Sequence, residues 1–350
     1  MTKMIQCISP VDGRVYAERP ALSPEAAAAA VARAKAAQPA WAALPLEERI
    51  AKVKAGVAAL NADKARIVEE LAWQMGRPTR FGGEFGGLNE RTDYMSRIAA
   101  EALAPMIVEE TDRFARRIEF APQGVVFVIA PWNYPYMTAM NTIVPALIAG
   151  NAVMLKHASQ TLLVGERIAE GLAKGGVPAD VFQNVVLDHA GTEKLIADRS
   201  FGFVNFTGSV AGGQAIERAA AGTFTGLGLE LGGKDPGYVM EDADIDWAVD
   251  VQRRPVLLRD RAHLRQPQAL RRVRREVGEV GERTEARQPL RRGHDAWADG
   301  ECTLRPYRPR PDRRRNRRRR QAPDRASEFP YRRRRNLPDA ADPDQRRSLD

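Results

Sequence analysis

Val125-Val-Phe-Val-Ile-Ala130, followed at once by Pro131-Trp-Asn-Tyr-Pro135, is the stretch of sequence that decides the fold. Its first part is a continuous apolar run, rich in β-branched side chains and bounded by Gly124 and Pro131. A run of this length and composition predicts a strand that is buried on both faces, as strands of parallel sheets are.

Strands and helices alternate after this run. Helices are predicted over Thr138–Ala149 and Leu162–Lys174, and further strands over Ala152–Lys156, Phe182–Leu187, Phe203–Phe206 and Leu227–Leu231. This alternation predicts an α/β fold with a doubly wound parallel sheet of the Rossmann-like type. Ligands of such sheets bind outside the carboxyl ends of the strands, so the residues that follow each strand are the candidate site.

The first hundred residues predict N-terminal helices. Ser23-Pro24-Glu25 supplies an N-cap, a proline at the first helical position and an early acid, and the helix should run to about Gln38. Three more helical patterns follow, over Leu46–Leu60, Ala62–Met75 and Asn89–Leu103.

Three motifs stand at the predicted strand ends: Pro131-Trp-Asn133, Phe206-Thr-Gly-Ser209 and Glu230-Leu-Gly-Gly-Lys234. In this order the sequence resembles the aldehyde dehydrogenase superfamily, and the resemblance runs from Ile8 to Asp250. It implies oxidation of a small-molecule aldehyde to a carboxylic acid with NAD(P)+, through a cysteine thiohemiacetal.

Two catalytic residues are implied by the resemblance. Asn133 matches the asparagine whose side-chain amide donates to the developing oxyanion; the alternative is a turn-forming asparagine. Glu230 matches the general base that activates the hydrolytic water. At the end of an apolar strand it should be partly desolvated, which suits that role; the alternative is a strand-terminal acid paired with Lys234.

The resemblance also implies the residues that bind the cofactor, NAD or NADP. Lys156 matches the lysine that binds the adenosine ribose. Ser159 stands where many NAD-preferring members carry glutamate, and since serine would not repel a 2′-phosphate, it favours NADP or dual use. Gly208 and Ser209 open a helix and would face the pyrophosphate. The remaining expected cofactor contacts are Ile129, Ala130, Pro131, Trp132 and Leu231.

Other site types and compartments are disfavoured by the sequence. Asp242-Ala-Asp244-Ile-Asp246 could suggest a calcium loop, but Trp247 stands where such a loop needs glycine, so we assign no metal. No apolar run is long enough to span a membrane, and the start has no signal-peptide pattern. With only two cysteines, Cys7 and Cys302, a reducing and cytoplasmic setting is expected.

Charge divides the chain near residue 250. Residues 251–350 contain 30 arginines, no lysine and 15 acidic residues, whereas residues 1–250 contain 24 basic and 30 acidic residues. Arginine clusters at Arg313–Arg320 and Arg332–Arg335 cannot be buried in a core, so this part is expected to be disordered. A switch of this kind marks a boundary between regions.

The family's G-Q-x-C motif, which carries the nucleophile, does not follow Asp250. Translation out of frame from about residue 251 explains this: codons for Arg254–Arg261 exist whose neighbouring frame reads G-Q-S-C-S-G-I-E. His294–Gly300 can likewise yield T-T-L-G-P-M-A, and Arg335–Pro343 can yield G-T-Y-L-T-P-Q-I-L. We therefore interpret Cys302 as accidental and expect the chain to be inactive.

Three regions follow from this interpretation: an N-terminal helical part with a bridging segment (1–123), a Rossmann-like NAD(P)-binding region (124–250), and an Arg/Pro-rich out-of-frame tail in place of the catalytic domain (251–350). Members of the superfamily are homodimers or homotetramers, but the C-terminal oligomerisation strand is missing, which argues against such assembly here.

Two alternative functions remain open. The first is a non-catalytic NAD(P)-binding fragment. The second is nucleic-acid binding through the arginine-rich tail, which would contact phosphates. Aromatic residues that could stack on bases are scarce in the tail, and this argues against the second alternative.

Overall fold

The structure, a computed structural model, describes residues 3–79 and 82–233, together with the backbone of two strands at 237–239 and 262–264. All of these residues belong to one compact unit, Met1–Pro306. Within them, no helix combines the length and the hydropathy that a membrane crossing requires. The acidic segment Asp242–Asp246 and the arginine clusters of the tail lie outside the described residues.

The N-terminal part contains two antiparallel hairpins and four helices. In chain order these are β1 (Met4–Ile8), β2 (Val15–Pro20), α1 (Pro24–Ala42), α2 (Leu46–Ala62), α3 (Lys64–Met75), α4 (Phe85–Ala102), β3 (Met106–Glu110) and β4 (Ala115–Ile118). The four helices match the helical patterns of the sequence, but the sequence predicts neither hairpin β1–β2 nor hairpin β3–β4. Most residues of their strands are exposed, so neither face imposes the alternation that identifies a strand.

A five-stranded parallel sheet with alternating helices forms the rest. Its elements are β5 (Val125–Ala130), α5 (Pro135–Ile148), β6 (Ala152–His157), α6 (Leu162–Lys174), β7 (Phe182–Asn184), α7 (His189–Ala197), β8 (Phe203–Gly208), α8 (Val210–Ala220) and β9 (Gly226–Leu231). The strands lie in the order β7-β6-β5-β8-β9, and every neighbouring pair is parallel. The predicted doubly wound parallel sheet is therefore confirmed.

Strand β5 shows why the sheet is buried on both faces. All six of its residues are buried, and successive side chains enter two different hydrophobic clusters. Val126, Val128 and Ala130 pack with residues of α2–α6, whereas Val125, Phe127 and Ile129 pack with residues of α1, α7 and α8. Helices thus cover both faces, and this is the arrangement that the unbroken apolar run predicts.

Several predicted boundaries shift. Helix α1 starts where Ser23 Oγ accepts a hydrogen bond from Ala26 N, but it continues through Pro39 to Ala42. Strand β7 ends at Asn184 because its ladder with β6 stops there, while β8 extends to Gly208 because its ladder with β9 continues.

Two further strands form a separate parallel pair, β10 (Gly237–Val239) and β11 (Ala262–Leu264). Strand β11 lies inside the region 251–350, which the sequence predicts to be disordered. The backbone of these three residues pairs with β10. The other residues of the region lie outside the described part of the chain.

Candidate functional site

The strand order of the central sheet creates a crevice at its carboxyl edge. The chain moves outward from β5 through β6 to β7, then returns to the other side of β5 as β8 and continues to β9. Helices that follow β5 and β8 consequently pack on opposite faces of the sheet, and the loops diverge between them. Such a switch point is where open α/β sheets bind ligands.

The strand register brings the expected site residues to this edge. Ile129 of β5 pairs with Lys156 of β6 and with Phe206 of β8, and Thr207 of β8 pairs with Glu230 of β9. All the expected residues lie at the ends of these four neighbouring strands or directly after them: Ile129, Ala130, Pro131, Trp132, Asn133, Lys156, Ser159, Gly208, Ser209, Glu230 and Leu231.

Asn133 lies in the loop Pro131–Tyr134, here called the Asn133 loop, between β5 and α5. A buried ion pair holds this loop from the side of α4. Arg77 Nη1 lies 2.6 Å from Glu84 Oε1, and Arg77 Nη2 donates to the backbone carbonyl of Asn133 at 2.7 Å. Glu84 Oε2 accepts from Met137 N at 2.7 Å, in the first turn of α5.

The charges of this ion pair are removed from solvent. The side chains of Arg77 and Glu84 are only 5% and 3% exposed. Burial raises the pKa of the Glu84 carboxyl, and the nearby Arg77 charge acts in the opposite direction. The Asn133 loop is therefore fixed through its backbone. Among the described residues, the side-chain oxygen Oδ1 of Asn133 is buried without a hydrogen-bond partner.

His157 of β6 contacts Pro135, the first residue of α5, which directly follows this loop. Its Nε2 lies 3.1 Å from the carbonyl oxygen of Pro135, and its Nδ1 lies 3.1 Å from Thr161 Oγ1. Because a carbonyl can only accept, Nε2 carries the proton and Nδ1 accepts from the threonine hydroxyl. Burial lowers the pKa of His157 to about 4, with a smaller contribution from the charge of Lys156, so the ring is neutral at pH 7.

Lys156 and Ser159 line a cavity of about 220 Å³ beyond the carboxyl ends of β6 and β7. Burial lowers the pKa of the Lys156 ammonium, while attraction to Asp188 acts in the opposite direction. No carboxylate of the described residues lies within ion-pair distance of Lys156. A desolvated ammonium that lines a cavity and has no hydrogen-bond partner among the residues described fits the hydroxyl or phosphate oxygens of a nucleotide ribose.

Gly208 and Ser209 form the junction between β8 and α8. Ser209 is the N-cap of α8, and its Oγ accepts from Gly212 N at 3.1 Å. Gly208 O accepts from Gly232 N at 2.9 Å, which ties this junction to the residues after β9. The backbone N–H groups at the start of α8 therefore lie at the carboxyl edge, as a pyrophosphate-binding turn requires.

Glu230 departs from the expectation at one point. It lies near the end of β9, but its side chain is exposed, so the expected partial desolvation is wrong for the described structure. The physical reason is that β9 is the outermost of the described strands of this sheet and pairs there with β8 alone. Lys234, its alternative ion-pair partner, lies outside the described residues.

Sequence reasoning missed several residues that shape the site: Arg77, Glu84, His157, Asp188 and Lys3. A signal existed for two of them, since Gly76-Arg77-Pro78 directly follows a helix and His157 directly follows Lys156. A larger cavity of about 820 Å³ lies between α1 and α7, but none of the expected site residues lines it. Within the described ranges, no cluster of three or more His, Cys, Asp or Glu side chains is placed to hold a metal ion.

Comparison with known proteins identifies the family of this chain. The sequence profile of the aldehyde dehydrogenase family matches residues 1–255. The chain belongs to the aldehyde dehydrogenase family. An aldehyde dehydrogenase of Paenarthrobacter nicotinovorans is 32% identical over 250 residues, which are 70% of this chain and 54% of the relative.

Solved structures of aldehyde dehydrogenases share the fold. The NAD-dependent benzaldehyde dehydrogenase of Corynebacterium glutamicum is 31% identical, with a TM-score of 0.64 over 71% of this chain and 55% of that protein. The succinic semialdehyde dehydrogenase of Streptococcus pyogenes, in complex with NADP+, is 28% identical, with a TM-score of 0.63 over 70% and 54%. Homologues therefore use NAD or NADP, and this chain spans about half the length of the relatives that it matches.

Proposed function

We propose that residues 1–250 bind NAD or NADP at the carboxyl edge of the sheet, and that the chain does not oxidise aldehydes. One observation carries the first part: Asn133, Lys156, Gly208 and Glu230 lie far apart in sequence, yet the strand register gathers them at one edge. Four motif residues of one family, in family order around one crevice, support a site inherited from aldehyde dehydrogenases.

The proposed roles follow from the groups themselves. Lys156 would donate to the ribose, and the N-terminus of α8 with Gly208 and Ser209 would face the pyrophosphate. The side-chain NH2 group of Asn133 would donate to a carbonyl oxygen, and Glu230 would accept a proton from water. The cofactor, when bound, supplies a hydride acceptor to this crevice.

The nucleophile is what we propose to be missing. Cys7 is fully buried in β1, and its thiol donates to Gln160 O at 3.0 Å. Burial raises the pKa of Cys7 to about 11, so almost no thiolate forms at pH 7. The only other cysteine, Cys302, lies outside the described residues, among arginines in the segment that we interpret as out of frame.

We further propose that the region from about residue 251 is an out-of-frame tail that replaces the catalytic domain. Three separate segments of it have synonymous codons whose neighbouring frame restores family motifs, and the family profile stops matching at residue 255. The nucleotide sequence across codons 245–300 tests this directly. A neighbouring frame without G-Q-S-C would refute it.

An activity assay tests the catalytic half of the proposal. Wild type and Cys302→Ala are incubated with NAD+ or NADP+ and a series of aliphatic aldehydes and semialdehydes, and reduced cofactor is followed at 340 nm. We expect no aldehyde-dependent signal from either protein, because neither supplies a thiolate to form the thiohemiacetal. Turnover that persists in Cys302→Ala would overturn the proposal.

A further inference from the structure

The cavity that Lys156 and Ser159 line also contains an ion pair between residues 185 positions apart. Lys3, which immediately precedes β1, and Asp188, which immediately precedes α7, both line this cavity. Lys3 Nζ lies 3.1 Å from Asp188 Oδ2. The cavity is therefore lined by two ammonium groups, one carboxylate and one hydroxyl, together with the side chains of His157, Asn184 and His189.

The two partners of this ion pair differ in exposure and in the number of hydrogen bonds that hold them. Asp188 is the N-cap of α7, and its Oδ1 accepts from Gly191 N at 2.8 Å. This bond and the Lys3 ammonium lower the pKa of the Asp188 carboxyl and keep it ionised. The Lys3 side chain is 65% exposed against 26% for Asp188, and Asp188 is its only hydrogen-bond partner among the described residues. Asp188 is thus a negative charge held by two hydrogen bonds, whereas Lys3 is a more exposed positive charge held by one.

Asp188 changes the charge that a 2′-phosphate would encounter near Ser159. Position 159 carries serine, so it supplies no carboxylate to the cavity. Asp188, which follows the neighbouring strand β7, supplies one. A 2′-phosphate next to an unneutralised Asp188 would be repelled, whereas a 2′-hydroxyl could donate to it. With Lys3 present, the same phosphate meets two ammonium groups and a neutralised carboxylate.

We propose that the Lys3–Asp188 ion pair, and not Ser159 alone, sets the preference between NADP and NAD, with Lys3 neutralising Asp188 and serving as the second ammonium for the 2′-phosphate. This inference rests on the proposed cofactor site. It assigns Lys3 and Asp188 as specificity-determining residues that the family motifs do not include.

The test measures dissociation constants of NADPH and NADH for the full chain by cofactor fluorescence, in wild type, Lys3→Met, Asp188→Asn and the double variant. Lys3→Met should weaken NADPH binding roughly tenfold and NADH binding by less than about twofold, since one charge-assisted contact to the phosphate is lost and Asp188 is unmasked. Asp188→Asn keeps an N-cap oxygen, so the start of α7 is preserved. As a single variant, Asp188→Asn should strengthen NADPH binding and weaken NADH binding. In the double variant, it should restore most of the NADPH affinity that Lys3→Met loses.

Lys194→Met is the matched control. Lys194 pairs with Asp198 at 2.9 Å and is 61% exposed, close to the values for Lys3, but it does not line the ribose cavity. It should leave both constants unchanged. If Lys3→Met and Lys194→Met change the ratio of the NADPH and NADH dissociation constants equally, the inference is overturned, but the proposed cofactor site is not. Failure of the wild type to bind either nucleotide would overturn the proposed function, and this inference with it.

Discussion

Replacement of Glu84 by alanine tests how the Asn133 loop is held. The side chains of Arg77 and Glu84 are 5% and 3% exposed, so the variant leaves a guanidinium buried without its carboxylate. It also leaves Met137 N, in the first turn of α5, without its acceptor. Removal of one partner of a buried ion pair costs roughly 3–5 kcal/mol of unfolding free energy. That loss is large against the roughly 5–15 kcal/mol that stabilises a typical domain.

Urea unfolding of the full chain, followed by circular dichroism, measures this cost. We expect the Glu84→Ala midpoint to fall by on the order of 1 M or more, given a typical dependence of about 1–3 kcal/mol per molar urea. Arg77→Met combined with Glu84→Ala should recover a large part of the loss, because no uncompensated charge then remains in the core.

A surface pair provides the control for this experiment. Lys54 and Asp93 lie 2.8 Å apart, but their side chains are 49% and 60% exposed. Asp93→Ala should therefore cost less than about 1 kcal/mol. If Glu84→Ala shifts the midpoint no more than Asp93→Ala does, the buried pair does not hold the loop as we describe.

Three further predictions concern other parts of the fold. His157 has a pKa of about 4 in the fold against 6.5 for the ordinary group, so the unfolded chain alone gains the proton as the pH falls through this interval. Between pH 7 and pH 5, the free energy of unfolding should consequently fall by roughly 2 kcal/mol more in wild type than in His157→Gln. Urea unfolding at each pH measures this difference. Gly175→Ala should lower the melting temperature, because the added Cβ would lie 2.3 Å from Gly56 N at the contact of α2 and α6. Gly86→Ala is the control: its Cβ would have no atom within 4 Å, so the melting temperature should stay unchanged or rise. Cys7 should resist iodoacetamide at pH 8 in the native chain and react only after unfolding, as peptide mass spectrometry would show; modification of the native chain would contradict its burial.

Local sequence patterns predict much of this fold. Strand β5 and helix α6 have the predicted bounds, because an unbroken apolar run and an amphipathic repeat are each determined by neighbouring residues. The fold class and the position of the site at the carboxyl edge follow from the order of such elements. Motif residues at strand ends therefore reach their place for reasons that are visible in the sequence.

Contacts between distant segments were not predictable in the same way. Lys3 and Asp188 meet across 185 residues, and Arg77 reaches the Asn133 loop across 56. No local periodicity signals such pairs, because they depend on how helices and hairpins pack against the sheet. The exposure of Glu230 was missed for a related reason: the number of neighbours of a strand depends on its place in the sheet order, which its own sequence does not determine.

Isothermal titration calorimetry of NADPH into the full chain and into Lys156→Met tests the central claim most directly. The account predicts one binding site per chain in wild type and a loss of affinity of roughly tenfold or more in Lys156→Met, since the desolvated ammonium is its proposed ribose contact. Absence of binding heat in wild type, or equal affinity in the two proteins, would contradict a nucleotide site at the carboxyl edge of this sheet.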